Sequence, residues 1–211
     1  MKAIYIKKLR KQIKLLHTLA IACHPIGMTL IGFVFLFTFS YLTILPKSYK
    51  FIVLSMVVCF TILIPLAGIF LYSRINRLKN RDLGTRNKRT VIYSLTLFPY
   101  ISCLYLIYRF NMPGSMIGIL VSATFTLIVC TLANLFWKIN IHMAGLGFLI
   151  GIIIALSPIF YINPIVWLSI IILWAGISGT CSIISKHHTT FQVIAGEVIG
   201  IGCGLLANFF I

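Results

Sequence analysis

Residues 115–137 read SMIGILVSATFTLIVCTLANLFW, an uncharged apolar run that is long enough to cross a bilayer as one helix. The hydrocarbon core of a bilayer is about 30 Å thick and needs about 20 apolar residues of α-helix. Similar runs lie on both sides of this stretch. The sequence therefore predicts an all-α fold, a polytopic membrane bundle of about seven spans. We place these spans at 26–45, 51–73, 91–109, 115–137, 142–160, 164–184 and 191–211.

The composition excludes a cytosolic enzyme and a disordered chain. Apolar side chains make up 60% of the 211 residues and charged ones only 9%, whereas an average soluble domain is about 45–50% apolar and about 25% charged. The 18 Lys and Arg against 2 acids give a net charge of +16, but these basic residues lie between the apolar runs. This pattern indicates a lipid bilayer as the partner and no nucleic acid.

The chain divides into two parts by charge. Residues 1–25 are rich in lysine and are predicted to lie on the membrane surface as a basic segment. Residues 26–211 form a single transmembrane bundle. Most Lys and Arg residues lie in the N-terminal segment and in the loops after spans 2, 4 and 6, so the positive-inside rule predicts that this face is cytoplasmic.

Three polar clusters interrupt the apolar pattern, and two predicted spans separate each cluster from the next. They are TRNKR at 85–89, KINIH at 138–142 and SKHHTTFQ at 185–192. Two antiparallel crossings return the chain to the same side, so we expect all three clusters at one water boundary. Arg and Lys bind phosphate oxygens, and two histidines can supply a nucleophile and a general acid. The alternative is that these residues are topology signals and head-group anchors.

The clusters resemble the type 2 phosphatidic acid phosphatase superfamily, membrane lipid-phosphate phosphatases related to acid phosphatases and vanadium haloperoxidases. That family carries three ordered motifs, K-x6-RP, PSGH and SR-x5-H-x3-D. Ser182, His188 and Gln192 follow the spacing of the third motif, with Ser182 at the family's arginine and Gln192 at its aspartate. Residues 138–142 resemble a K-x-S-x-H form of the second motif, and Arg89 stands at the arginine of the first.

The resemblance implies a role for each matching residue. His188 would attack phosphorus and form a phospho-histidine, and His142 would protonate the leaving oxygen and then activate water. Gln192 would orient His188. The phosphoryl oxygens would be held by Arg89, Arg86, Lys138, Asn140 and Lys186. The resemblance implies no metal and no cofactor, because cations of the protein supply the charge that phosphoryl transfer needs.

The function implied by the resemblance is hydrolysis of a phosphate mono- or pyrophosphate ester of a membrane lipid in a bacterial inner membrane. The alternative is a catalytically degraded relative that binds lipid phosphate without turnover, since Ser182 cannot act as a bidentate phosphate donor. A transporter is a third hypothesis, which the absence of an internal repeat disfavours.

Two features of the last span bear on packing. Gly196, Gly200 and Gly204 form a small-residue ridge at i, i+4 and i+8, which predicts a close helix contact. Glu197 is an acid inside the same span, and such groups usually face the bundle interior. Either it pairs with a cation of the site or it lies near the head groups.

Overall fold

The computed structural model describes residues 25–75, 86–161, 163–185 and 188–210, and all regular elements among them are helical. Residues 1–24, which make up all but the last residue of the predicted basic segment, lie outside the described residues. The prediction of an all-α bundle is confirmed. The helices are α1 (Pro25–Phe39), α2 (Lys47–Ile75), α3 (Arg86–Arg109), α4 (Gly114–Phe136), α5 (Ile141–Ile159), α6 (Ile165–Ile184) and α7 (Thr190–Leu205).

The helices have the dimensions and surfaces of membrane spans. Within the described residues, six of them are long and apolar enough to cross a bilayer, and α1 is a shorter apolar helix. Large apolar side chains point away from the bundle; Phe51 is 74% exposed and Leu173 is 66% exposed. Such surfaces are unfavourable in water and favourable in hydrocarbon. The chain is therefore an integral membrane protein.

The first predicted span, 26–45, is divided in two at Ser40. The Ser40 hydroxyl accepts a hydrogen bond from the Leu42 N–H (3.2 Å) and caps a 3-10 turn at Tyr41–Ile44. At about 1.5 Å per residue, α1 alone is roughly 22 Å long, and the turn brings this segment to about 30 Å. The segment as a whole is thus long enough for one crossing.

The second span contains a wider helical turn that the apolar pattern did not predict. Cys59–Leu63 is π-helical, and the Ile64 N–H donates to the Cys59 carbonyl. Pro65 follows directly and has no N–H to donate to the carbonyl of Thr61, four residues earlier. The wider turn lies where the proline interrupts the regular hydrogen-bond pattern.

Helix α5 lies at the centre of the bundle and contacts α1, α4, α6 and α7. Its closest neighbour is α7, and glycines on both helices allow this approach. A Cβ at Gly196 would lie 2.6 Å from the Asn140 carbonyl oxygen, and one at Gly151 would lie 2.5 Å from that of Ile201. Gly200 faces the Ala144 carbonyl in the same way. The predicted close contact along the glycine ridge is confirmed, and α5 supplies the opposing small residues.

Candidate functional site

Asn140 joins three helices at one end of the bundle. Its side chain is fully buried and caps α5, because Oδ1 accepts hydrogen bonds from the N–H groups of His142 (3.1 Å) and Met143 (3.4 Å). Its Nδ2 donates to the Ser182 hydroxyl oxygen on α6 (3.0 Å), and its main-chain N–H donates to the Gln192 carbonyl on α7 (3.5 Å). The second and third polar clusters therefore meet at this residue.

Gln192 connects the start of α7 to His188. The Thr189 hydroxyl accepts from the Gln192 N–H (3.4 Å), and Gln192 Oε1 accepts from the Thr189 N–H (3.2 Å), so the pair forms a capping box. The same Oε1 lies 3.2 Å from His188 Nδ1. The contact between His188 and Gln192 agrees with their spacing of four residues in the third polar cluster. The catalytic roles of these two residues stay predictions.

The geometry around Gln192 selects one tautomer of the neutral His188 ring. Because the Thr189 N–H is a donor, the atom of Gln192 that faces it must be the amide oxygen. That oxygen can only accept, so the nearby Nδ1 of His188 carries the proton. The lone pair is then on Nε2, so this is the ring nitrogen that can act as a nucleophile or a base.

Ser182 belongs to a row of serines on one face of α6. Ser178, Ser182 and Ser185 follow one another at i, i+4 and i+7, and so lie on successive turns. Within the described part of the chain, the buried Oγ atoms of Ser178 and Ser185 have no hydrogen-bond partner, whereas Ser182 pairs with Asn140. Ser182 thus faces the second polar cluster with a neutral hydroxyl.

The first polar cluster begins at the same end of the bundle. Residues 86–89 form the first turn of α3, and Thr90, the next residue, accepts a hydrogen bond from the buried Asn134 side chain on α4 (3.0 Å). Asn134 lies one turn before Lys138. The starts of α3, α5 and α7 therefore share one end, as the two-span spacing predicts.

Other predicted site residues are placed only in part. His142 is half-buried in the first turn of α5, and Lys138 is half-buried in the α4–α5 connection. Glu197 lies half-buried on α7, and its main-chain oxygen faces Gly147. Lys186 and the side chains of Arg86 and Arg89 lie outside the described residues.

Sequence reasoning missed two contacts that hold this end together. The rings of Trp137 and Phe191 stack with a centroid distance of 4.6 Å and an angle of 26°, which fixes the residue before Lys138 against α7. The second contact is the hydrogen bond between Asn134 and Thr90. Asn134 is a single amide within an apolar span, and this pattern could have predicted such a contact, because buried amides need hydrogen-bond partners.

Asn140, Ser182, His188 and Gln192 form what we call the boundary cluster. It combines an imidazole, two amides and a hydroxyl where α5 and α7 begin and α6 ends, and cationic residues are close in sequence. Among the residues that the structure describes, no group of three His, Cys, Asp or Glu side chains is placed to hold a metal ion.

Three comparisons with known proteins found no match. No family model, no curated protein and no solved structure matches the chain.

Proposed function

We propose that the chain is a divergent member of the type 2 phosphatidic acid phosphatase superfamily and hydrolyses a phosphate mono- or pyrophosphate ester of a membrane lipid. The supporting observation is the junction at Asn140, where positions of the second and third motifs meet through hydrogen bonds to Ser182 and Gln192. The motifs lie far apart in sequence, and the resemblance requires them to come together.

The proposed reaction has two steps at His188. In the first, Nε2 of His188 attacks phosphorus, the bond to the lipid oxygen breaks, and His142 donates a proton to that oxygen. In the second, His142 takes a proton from water, the hydroxide attacks the phospho-histidine, and phosphate leaves with His188 restored. Both steps are in-line phosphoryl transfers, in which positioning and neutralisation of negative charge are the main contributions of a protein.

The proposed cradle for the phosphoryl oxygens combines cations with the Asn140 amide. In the proposal, the three polar clusters supply positive charge through Arg86, Arg89, Lys138 and Lys186. Asn140 Nδ2 donates one of its two hydrogens to Ser182, and in the proposal the second is donated to a phosphoryl oxygen that enters this buried end of the bundle.

A second candidate function is binding of a lipid phosphate without turnover. The hydrogen bond between Ser182 and Asn140 favours this binding function. It puts two neutral groups at the position where the family has a bidentate arginine. Binding without turnover is favoured too by Gln192, since an amide orients the His188 ring without stabilising an imidazolium by charge.

Phosphate release from a panel of lipid phosphates by purified protein tests the proposal. We expect His188→Ala to abolish release, because no nucleophile remains, and His17→Ala, a histidine with no assigned role, to leave it unchanged. Protein quenched in SDS at alkaline pH, where the P–N bond of phospho-histidine survives, should carry phosphate on a histidine only when His188 is present. Equal release by wild type and His188→Ala contradicts the mechanism. A wild type that binds lipid phosphate but never releases phosphate supports the binding protein instead.

A further inference from the structure

A groove on the side of the bundle opens toward the bilayer between α1, α5 and α6. Its volume is about 300 Å³ and its lining consists of apolar and aromatic side chains. The floor is formed by Met28, Leu146 and Leu149, which are at most 3% exposed. The walls include Ile31 and Ile170, each about half exposed. The groove is therefore closed on the protein side and open on the side of the hydrocarbon.

One end of this lateral groove points toward the end of the bundle that carries the boundary cluster. His142, Leu146 and Leu149 occupy positions i, i+4 and i+7 of α5, so they share one face of the helix. Leu146 lies roughly 6 Å below His142 along the helix axis. On α6 the groove runs from Trp174 to Trp167, about 10 Å farther from the boundary. A chain lying in the groove thus ends one helical turn from His142.

We infer that the lateral groove holds one acyl chain of the lipid whose phosphate binds at the boundary cluster, an inference that rests on the proposed function. The medium around these spans is hydrocarbon, so a lipid tail is the occupant that the bilayer supplies. The groove ends one helical turn from His142, which places the head group of that lipid at this proposed catalytic histidine.

The physics of a bilayer makes this occupancy depend on the phosphate. A tail that leaves lipid for an apolar groove gains no hydrophobic energy, since lipid is as apolar as the groove. Selective binding must then come from packing against the walls and from contacts of the head group. A phosphorylated lipid should therefore occupy the groove far more than a neutral lipid with the same tails.

Photolabelling of the full chain in nanodiscs tests the inference without requiring turnover. The probes are phosphatidic acid and diacylglycerol carrying the same photoreactive group in one acyl chain. We expect phosphatidic acid to label peptides of α1 and α6 at the groove, and diacylglycerol to label them much less. Equal labelling by both lipids overturns the inference, since it shows ordinary annular lipid.

Substitutions in α6 provide a matched pair. Ile170 and Ile172 are 53% and 54% exposed, but only Ile170 lines the groove. Ile170→Trp should fill it and lower labelling by about tenfold or more, while Ile172→Trp leaves labelling unchanged. Ile31→Phe, on the opposite wall, should lower labelling as well. It replaces Ile170→Trp in the test if that variant does not fold. Unchanged labelling in the folded groove variants overturns the inference.

Kinetics separate this inference from the proposed function. Ile170→Trp should raise KM for a long-chain lipid phosphate and leave KM for a soluble short-chain phosphate ester unchanged. Groove labelling without any phosphate release would support the groove and contradict the enzyme. Release that depends on His188 but is insensitive to Ile170→Trp would support the enzyme and overturn the groove. A disulfide between two chains carrying Ile170→Cys would assign the groove to a dimer interface and overturn it too.

Discussion

Two amides organise the boundary cluster at the scale of single residues. Asn140 caps α5 with its oxygen and reaches α6 with its nitrogen, and Gln192 caps α7 while holding the His188 ring. Each amide therefore links helix formation to the geometry of the site. Neutral groups can be buried here without a counter-charge, whereas an aspartate at 192 or an arginine at 182 would need partners and solvation.

Substitutions of Gln192 separate orientation of the ring from charge. Gln192→Leu removes the acceptor for His188 Nδ1, and we expect phosphate release to fall on the order of 10²-fold because the ring loses its tautomer and orientation. Gln192→Glu keeps the acceptor and adds a charge that stabilises an imidazolium, so release should rise. The measurement is the initial rate of phosphate release from a lipid phosphate.

Thr189→Ala is the control for this pair. It removes the other half of the capping box, with a cost of about 1 kcal/mol in helix stability, but leaves Gln192 Oε1 beside His188. It should lower the melting temperature and retain the rate. If Gln192→Leu and Thr189→Ala lower the rate equally, Gln192 acts only as a cap.

At the scale of elements, the sequence predicts what depends on the bilayer and misses what depends on neighbours. Runs such as 115–137 predict helices because hydrocarbon forces every backbone group into an internal hydrogen bond. The π-helical turn at Cys59–Leu63 and the break at Ser40 depend on local hydrogen bonds that hydropathy does not record. The bond between Asn140 and Ser182 joins residues far apart in sequence, so the spacing of motifs predicts their common end but not that contact.

The contact between α5 and α7 leads to a prediction about stability. A Cβ at Gly200 would meet the carbonyl oxygen of Ala144, which belongs to a central helix and cannot move aside. Gly200→Ala should therefore destabilise the protein by about 1–3 kcal/mol. Gly202, two residues on, is exposed with open space around its Cβ position, so Gly202→Ala should be neutral or stabilising by about 0.5–1 kcal/mol.

Thermal unfolding in detergent micelles, followed by tryptophan fluorescence, compares these two alanine variants. The same ordering should hold for activity after heating, because the close approach of α5 and α7 also positions Asn140 against Gln192. A Gly200→Ala protein that melts with the wild type would show that the helices separate without cost, contrary to the packing described.

At the scale of the whole molecule, the distribution of Lys and Arg predicts the orientation of the bundle. The count includes cations that the proposed function assigns to phosphate binding. By sequence, most Lys and Arg residues lie in segments that flank the span ends on the boundary-cluster side, so the positive-inside rule predicts that this side is cytoplasmic. Cations that bind phosphate contribute to the same count without being topology signals. The leaflet from which a lipid phosphate would reach the cluster in the proposed function follows from this orientation.

Cysteine labelling in intact cells measures this orientation directly. In a chain without its native cysteines, Thr190→Cys places an exposed thiol at the boundary-cluster end, and Ser48→Cys places one at the opposite end, near the start of α2. With an impermeant maleimide we expect Ser48→Cys to react in intact cells and Thr190→Cys to react only after lysis. The reverse pattern would put the boundary cluster outside. The basic residues of the three clusters would then be retained against the positive-inside rule, a cost that the binding of phosphate would have to offset.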